Sequence, residues 1–186
     1  MEKSASLIRA AVPPAVLGLV TVVLASIVLA LSAKIELPFW PVPMTLETLA
    51  VLALAGLLGA RLAGLAVLLW LAEGTAGLPV FAGAAAGPVY FLGPTAGYLA
   101  GFLFAAFLVG RAADRGLRAR PLLLFASMLV GVALIYAAGV VDLARLLGWA
   151  GAVRLGLLPF IPADLTKAAL AAALVTAAGR LRLGRS

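Results

Sequence analysis

The sequence predicts an all-α integral membrane protein, built as a bundle of six transmembrane helices. Hydrophobic residues make up 65% of the 186 positions, whereas soluble domains contain about 45–50% apolar residues. Only 14 basic and 7 acidic residues are present. Apolar stretches of about the length that a bilayer requires recur along the whole chain. We therefore interpret residues 1–186 as a single membrane domain whose main environment is a lipid bilayer.

Composition also excludes several kinds of chemistry. The chain contains no cysteine and no histidine, which removes thiolate chemistry and the commonest general base and metal ligand. The sequence has no GxxxxGK[ST] phosphate-binding loop, so ATP hydrolysis by that route is excluded. We expect no catalytic residue, no metal ion and no cofactor. The first residues, MEKSASLIRAAVPP, lack a clear small-residue cleavage site and are interpreted as a retained cytoplasmic tail.

Six spans are predicted in order along the chain. Spans two and three are shorter than the roughly 20 residues that a straight crossing needs. Joining them into one helix would put Arg61 near the centre of the membrane, at a cost of about 3 kcal/mol. A turn at GLLGAR instead places Arg61 at the water boundary. The predicted spans are residues 14–33, 45–60, 62–76, 91–110, 121–141 and 162–179.

The distribution of basic residues predicts that both termini are cytoplasmic. Lysine and arginine concentrate on the cytoplasmic side of membrane proteins, and this topology places ten of the fourteen basic residues there. A five-span alternative with an outer N-terminus gives a weaker bias and leaves Arg61 in the membrane. This concentration of basic residues on the cytoplasmic side explains the net charge of +7. We therefore expect no nucleic-acid partner. We expect a multi-pass protein of the cytoplasmic (inner) cell membrane.

The three predicted outer connections are longer and more irregular than the inner ones. They are residues 34–44, where the prolines of IELPFWPVP favour an extended crossing, residues 77–90, with LPVFAGAAAGPVY, and residues 142–160. Acidic residues have little influence on membrane orientation, yet most of them fall on this outer side. This bias indicates a binding site at the outer face. The outer acidic residues are Glu36, Glu47, Glu73, Asp142 and Asp164.

Asp164 and Lys167, in LPFIPADLTKAAL, are the strongest candidates for such a site. Pro162 suits the first turn of a helix, where the helix dipole favours the carboxylate of Asp164, and Lys167 follows one turn deeper on the same face. A self-neutralising ion pair that caps the helix is the alternative. A neighbouring acceptor and donor also suit a ligand with N–H groups and an anionic end. Glu47 and Thr45 are candidates for the same pocket, with an N-cap role as the alternative for Thr45.

Small residues at four-residue spacing occur in two predicted spans. In GPTAGYLAGFLFAA the glycines form one row, which favours close packing between helices. Tyr98 lies beside that row, near the outer end, where its hydroxyl could reach a cavity. In the first span, Ser26 and Ala30 form a similar pair. Packing inside the bundle and docking of a second membrane protein remain equally possible for this pair.

Four segments together resemble the BioY family in order and spacing. They are PVPMTLETLAVLALAGLLGARLAGLAVLLWL, GLPVFAG, LGPTAGYLAGFLFAAFLVG and LPFIPADLTKAAL, and the resemblance extends from about residue 22 to residue 175. BioY proteins are the biotin-specific S components of energy-coupling-factor vitamin transporters. The resemblance implies a six-helix bundle that binds biotin in an outer cavity. It also implies partners: a transmembrane T component and two ATPase subunits.

The resemblance implies roles for individual residues. Asp164 and Lys167 match the GDxxKA-like motif of the family and would bind the polar groups of biotin, while Ser26 and Ala30 would dock on the T component. Glu47 replaces the glutamine that is usual in the family's VPxTLQTLAV. The rings and tail of biotin need an apolar wall, for which the candidates are Phe81, Tyr90, Trp70 and Trp40.

Three other functions fit the sequence less well. A facilitative or ion-coupled carrier acting alone would need an inner gate, and few ionisable residues lie within the spans. An S component for another vitamin would have the same fold. A membrane enzyme is disfavoured because the spans hold no histidine, no cysteine and no convincing pair of catalytic acids.

Overall fold

The computed structural model describes residues 13–183, and its helices form one bundle. The predicted all-helical fold is confirmed, and within these residues four helices are long and apolar enough to cross a membrane. The second and third helices have only 12 and 16 residues. The predicted N-terminal tail, residues 1–12, lies outside the described residues. The helices are α1 (Pro14–Lys34), α2 (Glu47–Leu58), α3 (Ala60–Thr75), α4 (Ala96–Asp114), α5 (Pro121–Gly156) and α6 (Ile161–Leu183).

The helices alternate in direction and so give the bundle two different ends. The loop-rich end carries the connections 35–46, 76–95 and 157–160. The arginine-rich end carries the turn at Gly59 and the connection 115–120, in which Arg115, Arg118 and Arg120 occur. Helix α1 begins and α6 ends at the arginine-rich end. The loop-rich end therefore holds most of the irregular backbone.

The turn between α2 and α3 agrees with the turn predicted at GLLGAR. Gly59 has φ +82°, a conformation that glycine adopts without a steric penalty. The backbone N–H of Ala60 donates to Oδ2 of Asp114 at 3.0 Å, so the end of α4 caps the start of α3. A Cβ on Gly110 would lie 2.4 Å from the Ala60 nitrogen, which requires glycine there. Arg61 is exposed, and its place at the water boundary stays a prediction.

Helix α4 packs along α5 through its glycines, which confirms the predicted close packing. A Cβ added to Gly97 would lie 2.4 Å from the Ala138 carbonyl oxygen, and one added to Gly101 would lie 2.6 Å from the Cα atom of Ile135. The two backbones therefore approach as closely as the absence of side chains allows. Gly93, the first glycine of the predicted row, lies before α4 and is not part of this contact.

The loop-rich end differs from the prediction in two places. Residues 142–160 were predicted as the longest outer connection, but α5 continues through them to Gly156 and is interrupted only at Gly148 (φ 71°, ψ 165°). Asp142 lies inside this helix, and its Oδ2 accepts the Gly97 N–H at 3.0 Å and so caps the first turn of α4. Helix α4 begins at Ala96 and not at residue 91, since Pro88–Leu92 forms a 3₁₀ turn.

The first connection contains a short antiparallel hairpin that the sequence did not predict. Its strands are β1 (Glu36–Leu37) and β2 (Met44–Thr45), and Glu36 pairs with Thr45. Three prolines lie between the strands, where the chain bends at residues 40–42. The hairpin leads the chain from the end of α1 to the first residue of α2, and so fixes Thr45 and Glu47 at the top of the bundle.

Helix α1 packs mainly along α3 at the edge of the bundle. Ser26 is fully buried there, and its Oγ donates to Oε1 of Glu73 at 3.2 Å. This contact favours packing inside the bundle for Ser26, whereas Ala30 is only partly buried. Docking of a second membrane protein at Ala30 stays a prediction. Much of the remaining surface of α1 exposes leucine, valine and isoleucine side chains, as a membrane environment requires.

Candidate substrate-binding site

A small cavity lies at the loop-rich end of the bundle, between α2, α4, α5 and α6. Its volume is about 40 Å³. Its apolar wall comes from α4, α5 and the residue before α6, and consists of Leu99, Phe102, Ile135 and Phe160. Several polar side chains also line the cavity. They include Thr45, Glu47, Tyr98, Tyr136, Asp164 and Lys167. With Tyr90, which also lines the cavity, six of the predicted site residues are thus brought together: Thr45, Glu47, Tyr90, Tyr98, Asp164 and Lys167.

Asp164 and Lys167 form a buried ion pair at the start of α6. Lys167 Nζ donates to Asp164 Oδ1 at 2.7 Å, and the two residues are 8% and 3% exposed. Their spacing of three residues puts both side chains on one face of the helix. Tyr136 on α5 donates its hydroxyl to Asp164 Oδ2 at 2.8 Å. The pair is therefore internally bonded, and it also faces the cavity.

Glu47 and Thr45 line the same cavity, at the start of α2. Thr45 Oγ1 donates to Glu47 Oε2 at 2.6 Å and accepts the Glu47 backbone N–H at 3.3 Å. Helix α2 begins after Leu46, so Thr45 is not its N-cap residue. The first turn of a helix stabilises a negative side chain, and Glu47 is 6% exposed. A second buried carboxyl group therefore faces the same cavity as Asp164.

The predicted aromatic wall is only partly present. Tyr90 lines the cavity, whereas Trp70 and Phe81 are fully buried behind it. Phe81 stacks on Tyr90 with ring centroids 4.6 Å apart, and Trp70 meets Phe81 edge-on at 5.1 Å. Both residues support the wall from behind and do not form it. Trp40 is 77% exposed and lies outside the cavity, because the hairpin turns its tip toward the surroundings.

Two tyrosines connect the cavity to the loops above it. The Tyr98 hydroxyl donates to the Gly156 carbonyl oxygen at 2.7 Å, which ties α4 to the last turn of α5. The Tyr90 hydroxyl lies 3.4 Å from the Ala82 carbonyl oxygen. Burial raises the pKa of the Tyr90 phenol, so this group keeps its proton and can donate. Tyr98 therefore borders the cavity with its ring, while its hydroxyl is already bonded.

Lys34 and Glu36 hold the second connection against the first, and we call these contacts the loop latch. Lys34 Nζ donates to the carbonyl oxygens of Phe81 and Gly83, at 2.7 and 2.6 Å. Glu36 Oε2 accepts the Gly83 N–H at 3.1 Å. Two side chains at the end of α1 therefore bond three backbone groups of residues 81–83. The resemblance implied a cavity beneath the first and third outer connections, and the sequence did not identify these contacts between the first and the second.

An outer groove adjoins the cavity beneath the two latched connections. It has a volume of about 490 Å³ and shares Pro43, Ala82, Tyr90 and Thr95 with the cavity. These shared residues form the partition between the two spaces. Glu36 also lines the groove. A ligand that occupied the cavity would therefore reach the loop-rich surface through this groove.

Comparison with known proteins identifies the family. The family model described as the BioY family matches residues 3–183, nearly the whole chain. The chain belongs to the BioY family. Among its relatives in that family, the biotin transporter BioY of Rhizobium etli is 38% identical over 165 residues, which cover 83% of this chain and 88% of the relative. The probable biotin transporter BioY of Pyrococcus horikoshii is 38% identical over 139 residues, covering 75% and 82%.

A solved structure agrees with this BioY assignment. It is described as the S-component for biotin from an ECF-type ABC transporter, and it superimposes with a TM-score of 0.80. The match has 27% sequence identity and covers 92% of this chain and 95% of that structure. The family and the four long apolar helices together indicate a multi-pass membrane protein. The resemblance to BioY proteins that the sequence suggested is therefore confirmed.

Proposed function

We propose that this chain is a high-affinity biotin-binding S component that captures biotin in the cavity described above. The observation that carries the proposal is the buried Asp164–Lys167 pair, which faces a cavity with an apolar wall in a member of the BioY family. A buried ion pair is a weak source of stability on its own. Charged groups within membrane proteins more often serve function. A polar ligand that completes their hydrogen bonds supplies that function here.

The chemistry of biotin matches the groups in the cavity. Its ureido ring offers two N–H donors and a carbonyl acceptor. On the protein side, the ammonium group of Lys167 has three N–H donors. Lys167 uses one of them on Asp164, so two remain for the ureido carbonyl. A carboxylate offers about four lone-pair positions, and Asp164 uses two of them. The thiophane ring would lie against Leu99, Phe102 and Ile135.

Entry of biotin requires the connections to move. Binding pockets for small ligands occupy about 300–1,000 Å³, whereas the cavity has about 40 Å³. Opening the partition between the cavity and the adjoining groove would supply the missing volume. The valeric tail would then extend into the groove. The loop latch is the contact that must break for this opening, because it fixes residues 81–83 next to the partition.

The loop latch predicts a kinetic effect. Lys34→Met removes two hydrogen bonds to loop carbonyls, and each charged hydrogen bond contributes about 1.5 kcal/mol or more when shielded from water. Because Lys34 is exposed, we expect a smaller effect, with biotin dissociating about threefold to tenfold faster. Stopped-flow release of labelled biotin measures this rate. Arg154→Gln, an exposed cation outside the latch, serves as the control. Equal dissociation rates in Lys34→Met and wild type would contradict a gating role.

The proposed transport cycle involves partners and a defined topology. We infer six membrane crossings, with both termini cytoplasmic, the loop-rich end outside and the protein in the cytoplasmic (inner) membrane. The arginine-rich connection 115–120 supports this orientation. A T component and two ATPase subunits would supply the energy, because this chain has no phosphate-binding loop. The partly buried Ala30 on α1 is the candidate contact with the T component.

Calorimetry of the purified protein with biotin tests the proposal. We expect one tight site per chain, and no comparable binding of thiamin or riboflavin. Tight binding of another vitamin, with none of biotin, would overturn the substrate assignment. Liposomes that contain this chain alone then test the need for partners: we expect them to bind biotin without concentrating it. Accumulation of biotin against a gradient in such liposomes would instead favour a solitary ion-coupled carrier.

A further inference from the structure

One oxygen of the buried Glu47 carboxylate has no hydrogen-bond donor. Within residues 13–183, Oε1 of Glu47 is buried and unpaired, while Oε2 accepts from Thr45. Glu47 is 6% exposed, and it lines the cavity. Leaving a buried hydrogen-bond acceptor unpaired is costly. The cavity therefore contains an acceptor that a ligand with a donor group would satisfy.

Asp164 differs from Glu47 in this respect. Its Oδ1 accepts from Lys167 at 2.7 Å, and its Oδ2 accepts from Tyr136 at 2.8 Å. Both oxygens of Asp164 thus have protein donors before any ligand binds. Glu47 has only the hydroxyl of Thr45. Of these two carboxyl groups, Glu47 is the one with an oxygen that has no donor without a ligand.

We propose that Glu47 Oε1 accepts an N–H of the ureido ring of biotin and is the residue that selects ligands with such a donor. This inference rests on the proposed function and names the residue that recognises the donor. Asp164 then acts mainly as a positioning residue, which holds the Lys167 ammonium for the ureido carbonyl. Glu47 and Asp164 lie on α2 and α6 and face one cavity. The ureido ring therefore lies between these two helices, with the anionic tail directed away from both carboxylates.

Selectivity follows from the same geometry. A site built to bond an N–H strongly rejects an analogue that lacks it, because the buried acceptor is then left unpaired. Methylation of the ureido nitrogen that faces Glu47 should weaken binding at least about tenfold, the size expected for a lost bond to a charged group. Part of that loss would be steric. A comparison between variants separates the steric part from the hydrogen bond.

The experiment measures the affinities of biotin and of two analogues, each methylated at one ureido nitrogen. The variants are Glu47→Leu, which cannot accept a hydrogen bond, and Glu47→Gln, whose amide oxygen is a weaker acceptor than a carboxylate. For Glu47→Leu, biotin binding should weaken at least about tenfold, and the penalty for one of the two methyl groups should shrink severalfold. Glu47→Gln should lie between Glu47→Leu and wild type. The control is Glu73→Gln, because the Glu73 carboxylate accepts a hydrogen bond from Ser26 and does not line the cavity.

The outcomes distinguish this inference from the proposed function. If wild type binds biotin and both methylation penalties are unchanged in Glu47→Leu, Glu47 is not the acceptor and the inference is overturned. Should Glu47→Leu fail to fold, Glu47→Gln answers the same question, since an unchanged penalty there also overturns it. If wild type does not bind biotin, the proposed function itself fails, and the assignment of a ureido donor fails with it.

Discussion

Replacing Lys167 with methionine is expected to weaken biotin binding at least tenfold. Among the described residues that line the cavity, Lys167 is the only cation, so the variant loses the donor for the ureido carbonyl. It also leaves the Asp164 carboxylate buried with Tyr136 as its remaining donor. Breaking a buried ion pair at one partner costs about 3–5 kcal/mol of stability. Calorimetry measures the affinity, and thermal unfolding in detergent measures the accompanying loss of stability.

A double variant separates binding from folding. Asp164→Asn combined with Lys167→Met removes both charges, so no buried charge remains unpaired at this position. We expect it to recover much of the stability that Lys167→Met loses, but not the affinity for biotin. Arg154→Gln removes an exposed cation at the same end of the bundle and should change neither. If the double variant bound biotin as tightly as wild type, the pair would have no role in binding and would serve only as a structural cap of α6.

Gly101→Val is expected to destabilise the bundle by forcing two of its helices apart. The first added carbon would lie 2.6 Å from the Cα atom of Ile135. Backbone atoms, unlike flexible side chains, cannot turn away from such a contact. Overpacking typically costs about 1–3 kcal/mol and occasionally more. Helices α4 and α5 would have to separate, so we expect little monodisperse protein in detergent and a lower melting temperature.

Gly179→Val provides the matched control. It introduces the same branched side chain into a helix, but apart from the neighbouring backbone of its own helix no atom lies within 4 Å of the position where its Cβ would be. Because both variants replace a helical glycine with valine, the change in intrinsic helix propensity is the same in both. Only the tertiary contact of the new side chain differs. Both variants are measured by size-exclusion chromatography and thermal unfolding. Equal melting temperatures for the two variants would show that α4 and α5 tolerate a larger separation.

The sequence predicted the helices well because their signals are local. Prolines at Pro14 and Pro121 and the glycine at Gly59 mark helix boundaries, and the structure follows them. The continuation of α5 beyond residue 141 was missed for a tertiary reason. Asp142 resembles the start of a loop in the sequence, yet it caps the first turn of a different helix. A long-range hydrogen bond of this kind leaves no local pattern.

The candidate site was predictable only where its residues are neighbours in sequence. Asp164 and Lys167 share a helix face by their spacing, and the structure shows them paired. Tyr136, by contrast, lies 28 residues before its partner Asp164. Its only signal was a hydroxyl within an apolar span. The unpaired oxygen of Glu47 could not be predicted either, since it depends on which donors surround it.

The unequal lengths of the helices give the molecule an uneven hydrophobic thickness. The charged residues Arg61 and Glu73 are separated by about 18 Å along α3, whereas the apolar part of α5, residues 121–141, is about 32 Å long. A hydrocarbon layer of about 30 Å matches the α5 flank but exceeds the α3 flank. Each ångström of mismatch costs a fraction of a kcal/mol. With the six crossings proposed above, lipids beside α3 would have to compress, and membrane composition would act on one side of this protein more than on the other.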